Sequence, residues 1–226
     1  MGEAIGQTLP LAVGVALSPL AVIAVILLLS TPRARANAVA FLLGWTAGLM
    51  VAGGLLLVIG DSSNMSEAGS PAEWTGYLKI GLGLLLLVVA FRQKNKRLAP
   101  GEDPALPAWM TRLDSFGPVG SAGAGALLSG INPKNLVLTA AAAVAISQTG
   151  AAGADQVVAL VVYALLASVT VAVPLGIYFF MSDRADEILG RLKNRMGRDN
   201  AMVMAVICVV IAAKLIGDGI TTLSLF

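Results

Sequence analysis

Four charged side chains stand inside long apolar stretches of this chain: Lys79, Lys134, Lys214 and Asp218. Lys134 has the most distinctive setting. It sits in "SGINPKNLVLTAAAA", Ser129–Ala143, with Gly130, Asn132, Pro133 and Asn135 around it. A cation between two amides can neutralise a sulfate, phosphate or carboxylate while the amides hydrogen-bond sugar hydroxyls or the same anion. A cation at membrane centre costs about 2.5 to over 10 kcal/mol, so Lys134 is expected to face a polar cavity or an anion that enters one. Two structural roles compete with that reading: capping of carbonyls freed at a helix break, and snorkelling toward an interface. Lys214 and Asp218 are spaced i, i+4 and can pair on one helix face, or the acid between Gly217 and Gly219 can simply end a helix. Lys79 follows Trp74 and Tyr77 near a membrane interface, where snorkelling accounts for it.

Other chemistries find no residues here. The chain has no histidine, hence neither the usual general base nor the commonest transition-metal ligand. Cys208, the single cysteine, lies in "AVICVVIAA", so no intrachain disulfide or thiolate cluster forms and packing is its expected role. With no nucleophile–base pair, no enzymatic activity is expected. The phosphate-binding pattern GxxxxGK[ST] is absent, so any ATP-driven power has to come from a partner. Divalent cations want several oxygen ligands, usually with carboxylates, and the apolar stretches offer one acid. No metal, cofactor or nucleic-acid partner is expected.

The elements that position these residues follow from composition. Of 226 residues, 57% are hydrophobic and 12% charged, against about 45–50% and 25% in soluble domains. The fold class expected is an all-α integral membrane protein. A crossing helix needs roughly 20 apolar residues, and six stretches qualify: Leu9–Ser30, Ala38–Gly60, Trp74–Phe91, Gly117–Ser147, Val157–Met181 and Ala201–Leu223. The first is read as a retained helix and not as a signal peptide, because Met1–Gln7 lacks a basic region. Twelve of the 15 lysines and arginines fall in alternate loops, around Arg33 and Arg35, Arg92–Arg112, and Arg184–Arg198. The loops Asp61–Glu73 and Gln148–Gln156 carry none. Basic loops lie in the cytoplasm, which predicts both termini outside and a plasma-membrane location.

Two spans are interrupted. Pro133 removes a backbone donor, and the fourth stretch, longer than one crossing needs, is expected to form two half-helices or one sharply kinked helix. "ALSPLAV" interrupts the first span at Ser18 and Pro19. Backbone groups freed at such breaks must be buried in protein or line an aqueous cavity. Interrupted helices at matching places in oppositely oriented halves predict two inverted three-helix repeats with a site at their interface. The halves are residues 1–98 and 117–226, joined by a cytoplasmic linker, 99–116. The basic run "RQKNKR" at its start either sets topology or binds anionic lipid head groups, and Trp109 and Met110 are expected to pack at the interface. Ile188, Leu192 and Met196 are spaced for a short interfacial helix in the last cytoplasmic loop. The small residues of "AGLMVAGG" and "GSAGAGALLSG" predict close helix packing, and permit a homodimer without requiring one.

The stretch Leu106–Ser147, with Trp109–Met110, Leu113–Asp114 and Asn132–Pro133–Lys134–Asn135, resembles the peptidoglycolipid addressing proteins. These are also called sulfolipid-1-addressing proteins and belong to the lysine-exporter (LysE) superfamily. The opening "LPLAVGVALSPLAVIAVILLLSTPRARANAVAFLLGW" is similar to the first two spans of that family. The resemblance implies a transporter of two inverted three-helix repeats that moves glycolipids toward the cell surface, in contact with membrane lipids. Superfamily relatives export amino acids or small ions, so a small solute is the second substrate class. A subunit of a lipid-synthesis or export machine is the third reading. The site residues expected are Lys134, Asn132, Asn135, Pro133, Ser18 and Pro19, with Lys79, Lys214 and Asp218 as a secondary set.

Overall fold

The computed structural model describes residues 1–62, 66–67, 70–94, 110–151 and 153–224. It is helical apart from a two-residue antiparallel ladder that pairs Ser66–Glu67 with Ser70–Pro71. The helices are α1 (Gly2–Ala16), α2 (Pro19–Leu29), α3 (Ala34–Ser62), α4 (Glu73–Lys94), α5 (Pro118–Gly130), α6 (Pro133–Gln148), α7 (Gly153–Phe180) and α8 (Ser182–Leu223), with a 3-10 helix over Met110–Ser115 before α5.

Among the described residues, four segments are each long and apolar enough to cross a membrane: Ala34–Gly60, Glu73–Gln93, Gly153–Phe180 and Ala201–Leu223. The pair α1–α2, bent by 55° at its break, makes a fifth candidate. Large apolar side chains such as Leu43, Leu55, Phe91, Leu165 and Val210 stand exposed on the outer helices, as a lipid-facing surface requires. The chain is a multi-pass membrane protein.

The stretch read as the fourth span is divided. α5 has 13 residues and α6 has 16, about 20 and 24 Å of helix, each short of a hydrocarbon core of about 30 Å. Both prolines occupy the first turn of the second half-helix, Pro19 in α2 and Pro133 in α6. There the missing N–H costs nothing and the fixed φ suits a helix start. Pro10 and Pro174, by contrast, lie inside α1 and α7. Gly150, at φ 63°, follows the end of α6 in the left-handed conformation that glycine adopts without strain.

α2 and α6 form the interior. Nine of the 11 residues of α2 are buried, as are nearly all of α6 from Val137 to Gln148, as a helix that is apolar on every side requires. Around them α3 packs on α5, α1 on α7, and α4 on α8. α2 touches α7 and α8 while α6 touches α3 and α4, so these contacts repeat when α1–α4 are exchanged with α5–α8. The small-residue stretches make backbone contact as expected. A Cβ on Gly125 would lie 2.2 Å from the Phe41 carbonyl oxygen, and one on Gly44 would lie 2.0 Å from that of Ala122.

One expectation is corrected. Ile188, Leu192 and Met196 do not belong to a separate interfacial helix, because α8 runs without interruption for 42 residues. Between Arg191 and Ala201 only Gly197 disfavours helix strongly, at about 1 kcal/mol, too little to end it. Residues 95–109, which include Trp109 and most of the expected linker 99–116, lie outside the described residues. Met110 and Leu113 are buried, and the 3-10 helix packs on α2.

Candidate functional site

The two breaks meet. Asn132 ends the α5–α6 connection in extended backbone, at φ −59° and ψ 122°, and its side-chain oxygen accepts the Lys134 backbone N–H at 3.1 Å. That cap starts α6 and places the Lys134 side chain on the face turned to α1 and α2. Lys134 is 1% exposed. Its ammonium donates three hydrogen bonds, to Gly14 O at 2.7 Å, Leu17 O at 3.2 Å and Ser18 Oγ at 3.0 Å.

These acceptors exist because of Pro19. In an unbroken helix the Ser18 N–H would serve Gly14 O. Here it turns to Ala16 O at 2.7 Å, and the freed Gly14 carbonyl passes to Lys134. Thr170 of α7 also donates its hydroxyl to Ala16 O. Lys134 therefore caps carbonyls, but those of the first break and not of its own. Its charge lies at the negative end of the α1 dipole, the favourable end for a cation. Ser18, the N-cap residue of α2, makes no side-chain cap, and its hydroxyl oxygen accepts from Lys134 instead. Asn135 fastens α6 back onto α5 through Nδ2–H to Leu128 O at 3.1 Å.

Ser18, Pro19, Trp45, Leu128, Asn132 and Met204 line a void between the breaks of only about 10 Å³. That is near the lower limit for one water. Trp45 Nε1 and Asn135 Oδ1 are buried there or nearby without a hydrogen-bond partner. All six primary site residues expected from sequence are thus gathered at one place. Sequence reasoning missed Trp45, Thr170 and Met204. Thr170, a hydroxyl in the apolar run "ASVTVAVP", was the one visible signal.

A family model for the sulfolipid-1-addressing protein, Sap, matches residues 8–221. The chain belongs to the sulfolipid-1-addressing protein family. No curated protein and no solved structure matches it. The match spans both breaks, so Ser18–Pro19 and Asn132–Asn135 all lie within the part of the chain that makes it a sulfolipid-1-addressing family member.

The secondary residues come together elsewhere. Lys214 and Asp218 form the i, i+4 ion pair that their spacing predicts, and both are partly exposed. Lys79 is half-buried and its Nζ points across to Thr222 Oγ1 of α8 at 3.4 Å. With Gln148 and Glu3 they line one cavity of about 420 Å³ at the ends of α1, α4, α6 and α8. Gln148 is itself buried, with Nε2 donating to Thr75 Oγ1 at 2.5 Å. Cys208 is buried in the core, where the sequence put it.

Proposed function

We propose that this family member is a transporter that carries an envelope glycolipid, or its precursor, outward across the plasma membrane, with the polar site at the two breaks. The observation that carries the reading is the Lys134 ammonium, held at membrane depth by two carbonyls and one hydroxyl of the other broken helix. A buried cation with no acid beside it among the described residues suits an anionic group as exchange partner. An incoming sulfate, phosphate or carboxylate accepts the hydrogen bonds of Lys134 in place of the first break, which loses its cap, and the half-helices move apart. Asn132 and Asn135 then serve the sugar hydroxyls. In the arrangement described here the site is closed, since the void between the breaks admits about one water.

Six spans in two inverted three-helix repeats are part of the proposal, with each bent or broken pair counted as one span. The exchangeable packing of α1–α4 and α5–α8 supports it, as does the common Ser-Pro and Asn-Pro start of the second half-helices. The loop charges support termini on the outer side. Membership of the lysine-exporter superfamily belongs to the same reading. The family name ties its members to a sulfolipid, and a lipid cargo comes to this chain through it. No enzymatic step is assigned.

The test compares surface-extractable with cell-retained glycolipids in the native host, with the gene, without it, and with Lys134→Met. A lipid that stays inside while its synthesis continues, in both altered strains, is the expected result. An unchanged profile without the gene overturns the reading, and full delivery by a folded Lys134→Met variant removes Lys134 from the mechanism. The small void favours a second reading, export of a small solute. Accumulation of an amino acid or ion in the strain lacking the gene, with lipids unchanged, selects that reading instead.

A further inference from the structure

We propose that the cavity at the ends of α1, α4, α6 and α8 is a second binding site, which seats the oxyanion of a lipid head group against Lys79. Close helix packing builds it. A Cβ on Gly76 would meet Leu223 at 2.7 Å and the Gly219 carbonyl at 3.0 Å, and one on Gly219 would meet the Gly76 carbonyl at 2.7 Å. Only glycine lets α4 and α8 approach this closely. One turn further along α4, Lys79 is thereby set opposite Thr222 and beside the Lys214–Asp218 pair.

The cavity holds two lysines and two acids, unevenly paired. Asp218 is committed to Lys214, and Glu3, exposed at the rim, accepts from Gln7 at 3.1 Å. Among the described residues no carboxylate lies within 4.0 Å of the Lys79 ammonium. Its one hydrogen bond among the described residues is the long contact to Thr222. A half-buried ammonium with donors to spare, at the wall of a 420 Å³ cavity, calls for an acceptor bearing negative charge. A cation would find both acids already engaged, Asp218 by Lys214 and Glu3 by Gln7, and a neutral sugar would leave Lys79 unmatched. The volume falls in the range of about 300–1,000 Å³ found for small-ligand sites. Assigning the oxyanion to a lipid head group rests on the transport reading: this cavity lies at the outer end of the spans, where a head group leaves the breaks.

The experiment uses the full chain in nanodiscs of neutral phosphatidylcholine. Its probes are a sulfated galactolipid, the same galactolipid without sulfate, and inorganic sulfate in solution. The sulfated lipid is expected to bind more tightly than its neutral counterpart. Lys79→Met is expected to weaken it roughly ten- to a hundredfold, the worth of one charge-assisted hydrogen bond, and Lys79→Arg to restore it. Equal affinity for both lipids, or a folded Lys79→Met variant that binds as the native chain does, overturns the site. Lys79-dependent binding of inorganic sulfate without preference for the lipid overturns the head-group assignment. Thr222→Val, which keeps every charge, should weaken binding a few-fold and reads the same cavity where Lys79→Met fails to fold. Lys134→Met, at the breaks and outside this cavity, should remove whatever binding depends on the breaks and leave the Lys79-dependent share unchanged. A failed transport reading therefore shows on Lys134, and a failed outer site on Lys79.

Discussion

Lys134 and Ser18 are 116 positions apart in sequence and joined by a 3.0 Å hydrogen bond, so their energetic coupling tests the meeting of the two breaks. Lys134→Met keeps an unbranched stem of similar bulk and deletes three donors. Hydrogen bonds between membrane helices average about 0.6 kcal/mol in double-mutant cycles, with a maximum near 1.7. Three lost bonds therefore amount to about 2 kcal/mol. Part of this is offset, because the variant no longer buries a cation. A net loss of about 1–2 kcal/mol follows, or roughly 2–8 °C in Tm for a chain of this length. Ser18→Ala removes one of the three acceptors and should cost about 0.6 kcal/mol alone. Together the two changes should cost less than their sum by about 0.5 kcal/mol or more, since Ser18 has no ammonium to serve once Lys134 is gone. Reversible unfolding of the native chain, both single variants and the double variant in one detergent gives the four numbers. Strict additivity refutes the contact, and so does a Lys134→Met variant as stable as native with Ser18→Ala still costly.

Three further outcomes follow from the same geometry. Asn132→Ala should lower stability by about 1 kcal/mol through loss of the α6 cap, whereas Asn132→Asp should largely keep it, both read by thermal unfolding. Gly125→Ala drives a Cβ into the Phe41 carbonyl and should cost about 1–3 kcal/mol, while Gly123→Ala, with nothing within 4 Å, should be neutral or stabilising. In a chain whose only thiol has been removed by Cys208→Ser, a cysteine introduced by Ala154→Cys should react with a membrane-impermeant maleimide on intact cells. One introduced by Arg33→Cys should react only after permeabilisation, and the reverse pattern inverts the proposed orientation.

Much of the helical layout was legible because lipid imposes a long apolar run on every crossing segment. α3, α4 and α7 match the expected stretches to within a few residues. The breaks were legible for a different reason. Proline has few tolerable places in a helix, and Ser-Pro and Asn-Pro each mark a start. The sequence could not reveal which acceptors Lys134 finds. Gly14 and Leu17 contribute through backbone oxygens, and a carbonyl leaves no trace in residue type. Trp45 and Met204 read as ordinary apolar residues of their spans, and only the packing of α2 against its neighbours brings them to Pro19. For Lys79 the local reading, a lysine snorkelling beside Trp74 and Tyr77, did not include the contact to Thr222, 143 positions away. α8 was cut short in expectation because its first half is charged. Charge decides whether a helix lies in lipid, but not whether it continues.

That continuity has a mechanical side. α8 holds 42 residues, a rod of about 63 Å, with no joint of the kind that divides α1 from α2 or α5 from α6. Leu192 and Met196 in its first half line a hollow beside Leu17 and Pro19 of the first break, while Lys214, Asp218 and Thr222 toward its C-terminal end line the cavity that also holds Lys79. A lever of that length that pivots by about 5° about its middle carries each tip nearly 3 Å. Such a swing is enough to make or break the Lys79–Thr222 contact. The jointed helices give the molecule places to flex, whereas α8, without a joint, would carry a swing at the first break through to the Lys79–Thr222 contact.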